Sequence, residues 1–268
     1  MPKTLHPIGI FDSGLGGISV LREIQRLLPA EDLIYVADSA HAPYGSKSPE
    51  YIRERSKRVA DFLLEQQVKV LMVACNTATV HAVDHLRETL PIPVVGIEPA
   101  VKPAARMTAT GVVGVLATQQ TVNSPRLHRL IREYASEVQV IAQACPGLVE
   151  HVEAGDFSSE AVRQLLKHYT LPLLEAGVDT LVLGCTHYPF LSEAIHDVTH
   201  GRMTVLETST PVTHQLMRVL ALHGLGRAEG RQGEVQFFSG RQDEQHLISM
   251  QMLWQRAVTP QPLPEPYR

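Results

Sequence analysis

The feature that most restricts this chain is a recurrence of short apolar runs that give way to helix-like stretches. IGIF (8–11), LIYVAD (33–38), VKVLMVA (68–74), PVVGI (93–97), VVGVLA (112–117), VQVIAQA (138–144), TLVLG (180–184) and MTVLE (203–207) each read as a strand. Residues 17–28 read as a helix, and Ser48 before Pro49 and Ser124 before Pro125 start two more. A serine there caps the first turn, and proline at the first helical position lacks only an N–H that has no partner anyway. Strands that are apolar almost throughout, separated by helices, predict parallel sheets covered on both faces. Ligands in such sheets bind beyond the carboxyl ends of the strands. Asp12, Asp38, Cys75, Thr118, Cys145, Cys185 and Glu207 all fall near those ends, so chemistry is expected there.

The bulk numbers narrow the classes. The 268 residues, 44% of them hydrophobic, are enough for one large domain or two small ones with a sizeable core. A net charge of −4 without any block of like charge gives no footprint for nucleic acid or an anionic membrane. No apolar run approaches the roughly 20 residues of a spanning helix. MPKTLHPIGIFDSG does not read as a secretory leader. Three scattered cysteines without a CxxC predict free thiols in a reducing cytoplasmic setting. The proline-rich TPQPLPEPYR reads as a docked or loose tail.

Two of the cysteines share a pattern. VLMVACNTATVHAV (70–83) and TLVLGCTHYPFL (180–191) both run from an apolar strand through a cysteine and polar residues into an expected helix. A cysteine at a helix N-terminus feels the positive end of the dipole, which favours thiolate. Asn76, Thr77 and Thr186 add hydrogen-bonding groups where carboxylates bind readily. Each half could thus offer a reactive thiol beside an anion site. His187, two residues after Cys185, could share a proton with that thiol. Cys145 has no polar companions and reads as a core residue.

Other motifs are weaker. FDSGLGG resembles part of a dinucleotide fingerprint, with Asp38 at the end of the second strand, but Ser19 stands where the last glycine belongs. On the other reading, Asp12 and Ser13 present polar groups beside Cys75, with Asp12 a proton acceptor or ammonium holder. HAVDH puts His81 and His85 one turn apart with Asp84 between, and no third metal ligand is evident. DSAHAPYGSKS, with Pro43, Tyr44 and Gly45, has the composition of a binding loop.

Taken in order, GIFDSGLGGISVLREI, YVADSAHAPYGSKS, VACNTAT, VVGIEPAVKPA, LATQQTVNS and LGCTHYPFL resemble the motifs of the glutamate racemases, in the cofactor-independent aspartate/glutamate racemase superfamily. They span residues 9–191, and the remainder reads as helix-rich. The resemblance implies an α/β fold of two similar domains, residues 1–98 with 208–268 and residues 99–207, with the active site in the cleft. It implies Cys75 and Cys185 as acid/base thiols, Asp12 beside the first, His187 beside the second, and Glu153 assisting that histidine. It implies Asp12, Ser13, Pro43, Tyr44, Gly45, Asn76, Thr77, Thr121 and Thr186 as substrate-binding positions. It further implies L- and D-glutamate as the small-molecule substrates, no cofactor or metal, no nucleic-acid or membrane partner, a homodimer as one assembly open to the chain, and D-glutamate supply for peptidoglycan. About seven residues precede the first strand, so control through an N-terminal extension is not expected. Ala154, Glu207, Leu127, Glu150 and His151 depart from the family pattern, touching the cleft rim more than the thiols.

Two thiols suit this chemistry. Inverting an α-carbon takes a proton from one face and returns one to the other, which a single base does poorly. An unperturbed thiol, with a pKa of about 8.5, needs modest help to serve near neutrality. The developing carbanion also needs donors around the substrate carboxylate. An aspartate racemase, a non-catalytic amino-acid sensor on the same scaffold and an NAD-dependent dehydrogenase are the alternatives. Joint presence of both thiols argues against the sensor, and Ser19 against the dehydrogenase.

Overall fold

In the computed structural model, residues 3–228 and 230–268 are described. Met1 and Pro2, at the head of the stretch read as lacking a leader, lie outside the described residues, as does Glu229. The expected alternation is present. Among the described residues ten strands form: β1 (Ile8–Asp12), β2 (Leu33–Ala37), β3 (Val70–Val73), β4 (Val94–Gly96), β5 (Val112–Ala117), β6 (Gln139–Ala144), β7 (Thr180–Gly184), β8 (Thr204–Leu206), β9 (Val235–Ser239) and β10 (Gln261–Pro262). They make two sheets, ordered β10-β9-β2-β1-β3-β4 and β6-β5-β7-β8. Every pairing between them is parallel.

The four-strand orders β2-β1-β3-β4 and β6-β5-β7-β8 are the same arrangement, each half placing its third strand beside its first. A parallel sheet reverses its winding at that point, which opens a crevice between the carboxyl ends of the first and third strands. In the first half that crevice lies beyond Asp12 of β1 and Val73 of β3; in the second, beyond Ala117 of β5 and Gly184 of β7. Both sheets are covered by helices, as near-continuous apolar strands require. One buried apolar cluster runs from Ile10 and Leu21 through Leu148 and Val152 to Leu183 and Tyr188, so the halves are joined by shared core.

The helix starts follow from sequence. Ser48 Oγ accepts the Tyr51 N–H at 3.2 Å, and Ser124 Oγ accepts the Leu127 N–H at 3.1 Å, each just before a proline. Two expectations are corrected. Residues after 191 are not simply helix-rich, because VQFFS forms β9 beside β2 and the tail adds β10 at the sheet edge. Buried Leu263 and the Tyr267 ring, 5.5 Å from Phe62, dock that tail. Nor does an α-helix follow Cys185 directly. A turn and a 3-10 segment (Tyr188–Leu191) intervene before the helix Ser192–Thr199. An α-helix capped by Cys185 would ask residue 189 to donate an N–H to the Cys185 carbonyl; Pro189 has none, and its ring would clash there. Tyr188 N–H takes that carbonyl instead at 3.1 Å.

All three cysteines are free and buried. Among the described residues, no helix is long and apolar enough to cross a membrane.

Candidate active site

The two crevices face one another across a narrow gap of about 10 Å³. Ser13, Pro43, Tyr44, Gly45, Cys75 and Asn76 line it, together with Thr77, Cys185, Thr186 and His187. These are ten of the catalytic and substrate-binding positions named from sequence. Thr118 and Val149 also line it. Thr118 follows β5 as Ser13 follows β1, a sequence signal for its role; Val149 arrives only through the fold of the helix Leu148–Glu153.

Cys75 caps the helix Asn76–Thr89. Its Sγ accepts the Ala78 N–H at 3.4 Å and lies 3.5 Å from Ser13 Oγ. Burial, and then the charge of Asp12, push its pKa up to about 12, against the pull of Ser13 and the Ala78 N–H. The second thiol is built differently. Cys185 Sγ lies 3.7 Å from His187 Nδ1, and His187 Nε2 lies 2.6 Å from Glu153 Oε1. Burial alone would lower the His187 pKa, but its contacts with Cys185 and Glu153 outweigh burial and raise it well above the usual value. Burial would raise the Glu153 pKa, and His187 more than reverses that. The raised pKa favours a protonated ring that donates from Nε2 to the Glu153 carboxylate, and the Gly16 N–H points at the same nitrogen from 3.2 Å.

Asp12 and Glu153 stand behind the gap. Asp12 is fully buried; its Oδ1 accepts the Gly14 N–H at 2.7 Å and its Oδ2 the Thr186 hydroxyl at 2.9 Å. Burial raises its pKa, opposed by His187, Gly14 and Thr186. It makes no hydrogen bond to Cys75 and fixes Thr186 of the opposite half. Glu153 Oε1 also accepts the Leu15 N–H at 2.6 Å, crossing the gap the other way. Thr121 is fully buried and outside the gap. Its N–H donates to Thr118 Oγ1, whose hydroxyl lies 2.8 Å from Thr77 Oγ1. The lining residue is therefore Thr118, with Thr121 orienting it.

The glycines of FDSGLGG have a reason unrelated to dinucleotides. A Cβ on Gly14 would sit 2.0 Å from Glu153 Oε1, and one on Gly16 would sit 2.3 Å from His187 Nδ1. The loop lacks side chains because residues of the other half lie on it, where a pyrophosphate would otherwise approach. Asp38 is likewise occupied: Arg55 donates to both its oxygens and Tyr44 donates to Oδ2. Asp84 pairs with Arg87 and Arg126. Among the described residues no group of three or more His, Cys, Asp or Glu is placed to hold a metal.

One lining residue points to a polar ligand. Asn76 is 2% exposed, and among the described residues neither its carboxamide oxygen nor its nitrogen has a partner. Buried amides are almost always satisfied. Here a donor and an acceptor face the gap beside the N-terminus of a 14-residue helix, where carboxylates bind well.

Fold and site together define a class: a double parallel α/β protein that presents one thiol from each half to a shared polar gap. The match to known proteins is more specific. The family described as Asp/Glu/Hydantoin racemase matches residues 8–212, and the chain belongs to that family. A glutamate racemase of Pseudomonas putida is 53% identical over 258 residues, 96% of this chain and 97% of its own. The crystal structure of Francisella tularensis glutamate racemase in complex with D-glutamate superposes with a TM-score of 0.85 at 29% identity, covering 98% of each chain. The Escherichia coli enzyme, solved with L-glutamate and the activator UDP-MurNAc-ala, has a TM-score of 0.83 at 34% identity over 96% of this chain and 98% of its own.

Proposed function

We infer that this chain is a glutamate racemase, interconverting L- and D-glutamate by proton transfer at the α-carbon and supplying D-glutamate for peptidoglycan. The observation that carries the mechanism is the pair of thiols lining one gap from opposite sheets, each with its own proton partner. In the L-to-D direction, Cys185 as thiolate takes the α-proton while Cys75 as thiol gives its proton to the other face. The raised pKa of Cys75 suits a donor, and the imidazolium of His187 stabilises a neighbouring thiolate. The D-to-L direction reverses the roles.

Asn76, Thr77 and Thr118, with the first N–H groups of the helix Asn76–Thr89, hold the substrate carboxylates, and Ser13, Pro43, Tyr44, Gly45 and Thr186 complete the enclosure. Asp12 orients Thr186, and Glu153 holds His187. No cofactor or metal takes part in this reading. The sheets suggest domains of residues 1–98 with 208–268 and 99–207. Free buried thiols accord with a reducing cytoplasm, and a homodimer is compatible with the reading.

The test follows optical rotation or circular dichroism of L- and D-glutamate after dialysis against chelator, with aspartate run in parallel. Cys75→Ala and Cys185→Ala should each lose about 10²–10⁴-fold in rate. Cys145→Ser should keep most of it, because among the described residues the Cys145 thiol hydrogen-bonds only to the Gln143 carbonyl and otherwise lies in the apolar core. Activity that returned only on adding a metal would sink the thiol mechanism, and racemisation of aspartate alone would sink the substrate assignment.

A further inference from the structure

The loop that carries Pro43, Tyr44 and Gly45 is held at both ends. Beyond Gly45 the second half holds it, where Gln120 Nε2 donates to the Lys47 carbonyl at 2.9 Å. Before Pro43 the anchor is Asp38, the last residue of LIYVAD. Tyr44 is 1% exposed, and its hydroxyl donates to Asp38 Oδ2 at 2.5 Å. Burial, and then the charge of Asp38, raise the Tyr44 pKa well above the usual value, so the phenol keeps the hydrogen that this bond needs. The place of one wall of the thiol gap thus depends on where the Asp38 carboxylate sits.

Arg55, on the helix Pro49–Glu65, sets that position. Its side chain is 5% exposed; Nε donates to Asp38 Oδ2 at 3.1 Å and Nη2 to Oδ1 at 2.5 Å. A two-point grip fixes the plane of a carboxylate as well as its place. The other guanidinium donors turn to the tail. Nη2 also donates to the Tyr267 carbonyl at 2.9 Å and Nη1 to the Arg268 carbonyl at 3.4 Å, 212 and 213 positions further along the chain.

Packing brings those carbonyls into reach. Leu263 is buried, and its N–H donates to the Ser239 carbonyl at 3.1 Å, which seats the tail on the sheet edge. The Tyr267 ring lies 5.5 Å from Phe62, and its hydroxyl donates to Glu65. Leu263, Phe62, Tyr44 and Cys75 belong to one buried apolar cluster, with Tyr267 packed against it. Buried charged donors are costly to leave without acceptors. Without the tail carbonyls, Arg55 turns toward water and gives up part of its hold on Asp38.

We propose that Arg55 is a positioning residue for the substrate: the docked tail holds Arg55, Arg55 holds Asp38, and Asp38 holds Tyr44 in the wall of the gap. The proposal rests on the racemase reading, in which Tyr44 belongs to the substrate enclosure. Neither thiol hangs on this relay, since Cys75 follows β3 and Cys185 follows β7, and each is placed by its own strand. Loosening the tail therefore weakens binding of both enantiomers and leaves proton transfer in place, which reads as a raised KM with kcat kept.

The test shortens the chain at Glu265, which removes both carbonyls and keeps Leu263. KM for L- and D-glutamate should each rise about tenfold, the scale of one hydrogen bond to a charged group, with kcat changed by less than about twofold. Tyr44→Phe cuts the last link and should raise KM to a similar extent, and shortening the chain in that background should add nothing further. Arg58→Ala, on the exposed side of the same helix, is the control and should match the wild type. If the shortened chain does not fold, Tyr267→Ala, which keeps the length and unseats the tail from Phe62, takes its place with the same expected pattern. Wild-type KM, a fall in kcat at unchanged KM, or a rise in KM that adds to that of Tyr44→Phe would each overturn the proposal. Failure of the wild-type protein to racemise glutamate would instead sink the functional reading. The relay is then judged without substrate, by hydrogen–deuterium exchange. Residues 38–48 should exchange faster in the shortened chain while residues 180–191 stay unchanged, and equal exchange over 38–48 would refute it.

Discussion

Gly16→Ala isolates the contact between the two halves of the site. Gly16 does not have a positive φ, so alanine fits its backbone. The conflict is with the His187 ring, since the new Cβ would sit 2.3 Å from Nδ1, 2.6 Å from Cε1 and 2.7 Å from Cγ. Ordinary contact begins near 3.4 Å, so the ring must retreat by about 1.1 Å (3.4 minus 2.3). It cannot do so freely, because Nε2 is held at 2.6 Å by Glu153. A misplacement of about 1 Å in a catalytic group costs on the order of 10²-fold in rate. The overpacking itself destabilises by about 1–3 kcal/mol. The assay is racemisation of both enantiomers by circular dichroism, with thermal unfolding on the same sample. Gly226→Ala is the control, since its Cβ would meet nothing within 4 Å. A Gly16→Ala enzyme with the wild-type rate and unfolding temperature would refute the claim that this loop is glycine to seat His187.

Three further outcomes are expected. Arg55→Ala strands Asp38, whose side chain is fully buried, and should destabilise by about 3–5 kcal/mol in denaturant titration; an unchanged midpoint would mean Asp38 finds another partner. Asp179 accepts from Thr108, Ala109, Thr110 and Thr180, and although burial works upward, these hold its pKa at about 2, below the usual 3.8. A depressed carboxylate stabilises above its unfolded pKa and loses that as pH falls through the folded value, so Asp179→Asn should cost about 1 kcal/mol at pH 7, after allowing for solvent screening, and almost nothing near pH 2; equal urea-midpoint shifts at both pH values would contradict this. With α-deuterated substrates, Asp12→Asn should raise the isotope effect mainly from D-glutamate and His187→Asn mainly from L-glutamate, whereas matched changes in both directions would mean that these residues only hold the substrate.

Much of this was legible in the sequence because it is local. Apolar runs bounded by glycine, proline and polar residues mark β1 to β8, and serine–proline pairs mark two helix starts. The strand-end rule points to the cysteines without knowledge of packing. What was hidden depends on contacts distant in sequence. VQFFS is a good strand run between Gly233 and Gly240, but only its pairing with β2 places it inside the first sheet. Thr121 and Thr118 are both polar residues after β5, and nothing local says that one is buried behind the other. FDSGLGG reads as a phosphate loop until Glu153, 139 residues beyond Gly14 (153 minus 14), is seen lying on it.

The two halves also solve the same problem by different means, and one residue accounts for the divergence. Their strand orders match, and each puts a cysteine after its third strand. In the first half, Thr79 N–H donates to the Cys75 carbonyl at 2.8 Å, the helix begins at once, and its free N–H groups face the thiol. The equivalent position in the second half is Pro189, which has no N–H to give. The helix is delayed, and its dipole no longer ends at the cysteine. A thiolate there needs another source of positive charge, and the turn that replaces the first helical turn carries one in His187. That charge is buried, so it needs Glu153, and Glu153 in turn needs a loop without side chains to reach across. From Pro189 the argument runs through His187 and Glu153 to Gly14 and Gly16, and the asymmetry of the site is the consequence of a missing backbone donor.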